Sequence, residues 1–126
     1  MKVEKIKWFS VELCRNNPNK LYIYGDNTIG VGKGGQAAIR DEPNAHGIPT
    51  KVYPSMSSDS FFSDDDYESN IEIIRKTIDA IPQNYEAIVF PEDGLGTGLA
   101  ELPLRAPRTY EWLVNEINQR FENIYA

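Results

Sequence analysis

Two apolar rhythms alternate along the chain, and each predicts a different kind of element. Short runs rich in aromatic and β-branched residues read as strands: "KIKWF" at Lys5 to Phe9, "LYIY" at Leu21 to Tyr24, "GIPTKVY" at Gly47 to Tyr53 and "EAIVFP" at Glu86 to Pro91. The last is continuously apolar at its centre, the pattern of a strand covered on both faces. Between these runs the spacing is helical. "SVELCRNN" predicts a short helix capped by Ser10 and stopped by Pro18, and "GGQAAIR" predicts another. Ile71, Ile74, Ile78 and Ile81 share one stripe of "NIEIIRKTIDAI". Tyr110, Leu113, Val114, Ile117, Phe121 and Ile124 share one stripe of "PRTYEWLVNEINQRFENIY". Alternating strands and helices around a fully apolar strand predict an α/β fold with a mainly parallel sheet.

Two glycine clusters interrupt this alternation, each directly after a strand signal. "GDNTIGVGKGG" places five glycines and a lysine in eleven residues after "LYIY", and "PEDGLGTGLAEL" follows "EAIVF". In parallel sheets ligands bind in the loops at the carboxyl ends of strands. Glycine there permits positive φ and close approach of a ligand to the backbone. The bland reading is a pair of tight turns. The functional one is an anion cradle of successive backbone N–H groups, with phosphate or pyrophosphate as the natural guest. Gly30, Gly32 and Gly35 fall in register with G-x-G-x-x-G, but no acidic residue ends a strand at the later position that a dinucleotide fold requires. The P-loop pattern fails because Gly34 follows Lys33 where Ser or Thr would coordinate magnesium.

Composition narrows the choice. A length of 126 residues with 40% hydrophobic content predicts one domain spanning residues 1–126. No apolar run approaches the ~20 residues of a membrane span, and "MKVEKIKWFS" is no secretory signal, so a cytoplasmic protein without membrane partners is expected. A lone Cys14 and a lone His46 leave no soft-ligand set for a metal, and no cofactor is expected. The net charge of -6 argues against a broad nucleic-acid footprint. Any bound anion must therefore be held locally. The run Asp64, Asp65, Asp66 lacks the alternation and glycine of a calcium loop and reads as an acidic helix start.

Three blocks taken in order, "GDNTIGVGKGGQAAIR", "GIPTK" and "IVFPEDGLGTGLAELPLRAP", resemble the macrodomain family of ADP-ribose-binding α/β/α modules. The whole pattern is also similar to a family of short proteins common in phages and bacteria. The resemblance implies a three-layer α/β/α sandwich in a bacterial cytosol or a phage-infected host. It implies that Gly32, Lys33, Gly34, Gly35 and Gln36 border the ligand near its distal ribose. Asp93, Gly94, Leu95, Gly96, Thr97, Gly98 and Leu99 would wrap the diphosphate, with Thr50 nearby. Lys51 matches a lysine that, in one macrodomain branch, attacks the ribose carbon to release a protein or DNA adduct. That branch carries an aspartate just after the glycine loop, where this chain reads "GTGLA".

Several residues keep two readings. Asp26 and Asn27 form an ordinary turn or hold a catalytic water. Arg40 closes a helix or pairs with a phosphate. Trp8 and Trp112 read as core residues, His46 as a loop residue, and Phe61, Phe62 or Tyr67 as covers for an adenine. The leading expectation is a binder of ADP-ribose or a related NAD-derived nucleotide. The alternatives are an ADP-ribosyl hydrolase using Lys51 or a water held by Asp26 and Asn27, and a non-catalytic interaction module. Nucleic acid is expected only as an ADP-ribosylated substrate.

Overall fold

Along the strand Lys20–Asn27 the side chains alternate in destination. Leu21 and Ile23 enter one apolar cluster, and Tyr22 and Tyr24 enter another on the opposite face. The strand Ala87–Pro91 repeats this, with Ile88 and Phe90 on the first side and Val89 on the second. A sheet apolar on both faces must be covered on both, and it is. The computed structural model describes residues 1–122, 124 and 125. Four strands, β1 (Lys2–Ile6), β2 (Lys20–Asn27), β3 (Ala45–Lys51) and β4 (Ala87–Pro91), form one sheet in the order β1-β4-β2-β3 with every neighbouring pair parallel. Helices α2 (Tyr67–Asp79), α3 (Leu102–Arg105) and α4 (Pro107–Arg120) contribute Ile74, Leu102, Leu113 and Ile117 to the larger cluster. Helix α1 (Val11–Asn16) and a 3-10 turn over Gly35–Ile39 cover the other face through Cys14, Ala37 and Ile39. The result is the expected α/β/α sandwich, all-parallel rather than mainly so.

Element boundaries depart from the sequence expectations for identifiable reasons. β1 starts and ends three residues early, because its register against β4 stops at the pair Ile6 and Pro91 and the chain then leaves the sheet before Trp8. "GGQAAIR" is a five-residue 3-10 turn rather than an α-helix. A turn that short carries little macrodipole, so any anion site beside it depends on individual N–H groups. His46 is in β3, not a loop, with Nε2 2.7 Å from the Thr77 carbonyl oxygen on α2. α4 stops at Arg120, where Glu122 takes a left-handed φ of 64°, instead of running to Tyr125; Asn123, within that expected helix, lies outside the described residues.

The acidic run acts across the fold. Ser63 caps its own turn by accepting from the Asp65 N–H at 3.2 Å. The Asp64 carboxylate instead accepts from the N–H groups of Arg108 and Thr109 at 2.8 and 3.0 Å, and from the Thr109 hydroxyl. It caps α4, whose own preceding residue, Ala106, has no side chain able to do so. Among the described residues no helix is long and apolar enough to cross a membrane.

Candidate functional site

The carboxyl ends of all four strands open into one cleft of about 560 Å³, within the size range of small-molecule sites. The loops that follow β2 and β4 both line it, and between these two strands the strand order reverses. β2 connects outward to β3, while the chain returns across β2 to β4. Both glycine loops start here.

The first loop is fixed by its carbonyls. Asn27, buried at the end of β2, donates from Nδ2 to the Val31 carbonyl at 2.7 Å and accepts the Gly30 N–H at 3.0 Å. Arg40 donates to the Gly32 carbonyl at 2.7 Å and to that of Val31 at 3.2 Å. In a planar trans peptide the N–H points opposite to the C=O, so these bonds aim the N–H groups of Gly32 and Lys33 away from Asn27 and Arg40. Arg40 is held in turn by an ion pair with Asp26 and lies over the Tyr24 ring. The Asp26 hydrogen bond raises the Arg40 pKa further. Asp26 and Arg40 therefore serve each other and the loop. Lys33 is exposed and paired with Asp41. Among the described residues, none of the N–H groups from Val31 through Gln36 donates a hydrogen bond. All of these residues line the cleft.

The second loop leaves β4 through Asp93 and turns at Gly94 and Gly96, with φ of 98° and 77°. Gly96 sits so close to its neighbours that a Cβ would lie 2.9 Å from Thr50 Cβ and 3.0 Å from Leu102 Cβ. Gly25 on β2 makes the matching space, since a Cβ there would approach the Gly96 nitrogen at 3.5 Å and the Thr50 hydroxyl at 3.3 Å. The loop is thereby seated on the ends of β2 and β3. The N–H groups of Gly96 through Ala100 donate no hydrogen bond among the described residues, and these residues also line the cleft. Leu99 reaches across so that a Cβ on Gly34 would touch its Cδ1 at 3.2 Å, bringing the two loops into contact.

Lys51 ends β3. A register shift between Asp26 and Asn27 brings Asn27 opposite Lys51, an irregularity of the kind that re-aims a side chain at the end of a sheet. The residue is 7% exposed. Its Nζ lies 3.3 Å from the Leu99 carbonyl oxygen, 3.4 Å from Met56 Sδ and 4.8 Å from the centre of the Phe61 ring. No carboxylate of the described residues forms an ion pair with it. Burial lowers its pKa below the usual lysine value, with the charge of Glu101 opposing the shift. A desolvated ammonium at the junction of two amide-lined loops suits an anionic or carbonyl-bearing guest.

The structure brings nearly all the residues expected from sequence to this cleft. Lys51, Asp26, Asn27 and Thr50 line it, as do residues 32–36, Asp93, Gly94 and residues 96–99. Leu95 does not. Its side chain is 3% exposed and packs in the larger core cluster. Gln36 borders the cleft, but its amide is paired with backbone: Oε1 accepts from Phe9 N–H and Nε2 donates to the Lys7 carbonyl, both at 2.8 Å. Phe61 and Phe62 are buried and absent from the lining, as is Tyr67, so none of the three covers it. Trp8 overturns its core reading. It is 66% exposed and lines the cleft, while Trp112 packs partly buried against the main cluster. Sequence reasoning also missed Met56, Pro54 and Val31, which carry no motif and reach the site only because the loops after β2 and β3 converge. Among the described residues no group of three or more His, Cys, Asp and Glu side chains is placed to hold a metal ion.

No curated protein and no solved structure matches the chain. A family model matches residues 4–116, which takes in both glycine loops and the whole sheet except the first two residues of β1. The chain belongs to DUF7831, a family of unknown function.

Proposed function

We propose that this protein binds ADP-ribose or a closely related NAD-derived nucleotide, with the diphosphate on the backbone of the two glycine loops. The observation that carries the reading is the pair of N–H runs, Val31 to Gln36 and Gly96 to Ala100, that have no acceptor among the described residues, in the loops that follow two neighbouring strands and line one cleft. Backbone N–H groups left without acceptors need one, and water or a ligand must supply it. A diphosphate offers many acceptor oxygens along a short rigid unit, and a chain of net charge -6 attracts it only through such local donors. The cleft volume also exceeds what a bare phosphate needs. ADP-ribose should raise the melting temperature and give a saturable calorimetric signal. The absence of either at millimolar ADP-ribose and NAD would favour the interaction-module reading.

One observation favours a second reading, an ADP-ribosyl hydrolase. Lys51 is buried in the cleft with no carboxylate ion-paired to it among the described residues, and burial lowers its pKa, the direction that favours an amine as a nucleophile. Asp26 and Asn27 are engaged by Arg40 and by the first loop, which leaves Lys51 as the better placed of the three. Binding remains the leading reading. Incubation with ADP-ribosylated peptide and DNA should release little ADP-ribose and leave no lysine adduct by mass spectrometry. Robust release that disappears in Lys51→Ala would establish the enzyme instead.

A further inference from the structure

The short segment between β1 and α1 is held unusually firmly for an exposed connection. The Gln36 side chain pairs with both the Lys7 carbonyl and the Phe9 N–H, so that its amide brackets Trp8 as a neighbouring strand would. On the far side of Trp8, Phe9 is buried edge-on against Tyr22, with ring centres 5.3 Å apart. Before it, the Ile6 carbonyl accepts the Glu92 N–H at 3.0 Å, tying the segment to the start of the second glycine loop. The backbone on either side of Trp8 is therefore fixed, while the residue is left 66% exposed at the cleft wall. Leaving so large an apolar surface exposed forgoes the stabilisation that burial would give. Val31, Met56 and Leu99, also exposed, line the same cleft. The rim is thus apolar around loops of polar N–H groups.

We propose that Trp8 is a preformed stacking platform for the flat heteroaromatic base of the nucleotide, with Gln36 as the positioning residue that holds it. The proposal rests on the nucleotide reading above. It also gives the ligand a direction along the sheet. The base lies over the end of β1, the diphosphate over the loops of β4 and β2, and the distal sugar toward Lys51 on β3, which puts Gln36 at the base end rather than near the distal ribose as the macrodomain resemblance implies. This is the order in which the strands lie side by side. Indole stacking uses the face common to all bases, so the platform selects for the presence of a planar base.

The test uses the full chain carrying Trp112→Phe, in which Trp8 is the only tryptophan; Trp112 is on α4 and does not line the cleft. ADP-ribose is titrated while Trp8 emission and calorimetric heat are recorded, and inorganic pyrophosphate serves as the probe without a base. ADP-ribose should quench or shift the emission. Trp8→Ala should weaken ADP-ribose binding by about fivefold to a hundredfold while leaving pyrophosphate binding unchanged, and Trp8→Phe should restore most of the loss. Gln36→Ala should lower the fluorescence anisotropy of Trp8 and weaken ADP-ribose by a larger factor than pyrophosphate. Undiminished ADP-ribose affinity in Trp8→Ala, with no emission change in the parent, overturns the platform and leaves the glycine-loop reading standing. No heat from either ligand overturns both.

Discussion

Gly96 and Gly98 are close in one loop, yet their surroundings assign them different duties. Gly96 combines a φ of 77° with contacts to Thr50 and Leu102, so Gly96→Val should cost on the order of 3 kcal/mol in urea unfolding, from left-handed strain and overpacking together. At Gly98 an added Cβ would meet nothing within 4 Å, and the backbone has no left-handed φ. Gly98→Val should therefore keep stability within about 0.5 kcal/mol while blocking approach to the loop, and calorimetry should show ADP-ribose affinity lost. An equally tight Gly98→Val would move the ligand off this loop. Lys51 carries a separate prediction. Burial lowers its folded pKa below its unfolded value near 10.5, so between the two values the unfolded chain binds more protons and stability rises with pH. Lys51→Met should remove that alkaline rise in unfolding free energy. Lys51→Ala should weaken ADP-ribose by on the order of 1–3 kcal/mol, the worth of a charge-assisted contact.

At the scale of elements, Asp64 joins the loop before α2 to the first turn of α4. Burial pushes its pKa up, but hydrogen bonds from Arg108 and Thr109 outweigh this and hold it below the usual carboxylate value. A depressed folded pKa contributes stability that is complete above the unfolded value, about 4, and is lost as pH falls through the folded one. Asp64→Asn should cost about 1 kcal/mol at neutral pH, and its deficit should shrink as the pH is lowered past 4 in parallel denaturation curves. The elements legible in the sequence were those whose periodicity reflects burial: the Ile stripe of α2, the Leu113 and Ile117 face of α4, and the continuous run of β4. Trp8 was not legible, because an indole fixed at a cleft wall and one buried in a strand leave the same aromatic alternation. Neither was the reach of Asp64, since a cap supplied from forty-odd residues away leaves no local spacing. Among the glycines, Gly25 and Gly96 each fall within a legible cluster, but nothing in the spacing marks them as partners in one packing contact.

For the molecule as a whole, a net charge of -6 and two runs of neutral donors predict how affinity responds to salt. Long-range attraction to a phosphate is absent, and recessed hydrogen bonds are screened less than exposed charges. Raising ionic strength across the physiological range should change ADP-ribose affinity by less than about threefold, under 1 kcal/mol. A steep loss matched by neutralising Lys33, Arg40 and Lys51 would mean that the glycines only position basic side chains. The order of the strands, with the loops of β2 and β4 side by side, follows from a β3-to-β4 crossover that no local pattern announces; it turns two glycine clusters into one cleft. The most direct test of that convergence is an amide-resolved NMR titration of the 15N-labelled chain with ADP-ribose. Large shifts, saturating together with the calorimetric binding curve, are expected for the N–H signals of residues 31–36 and 96–100. Saturable binding that leaves both sets of signals in place would contradict it.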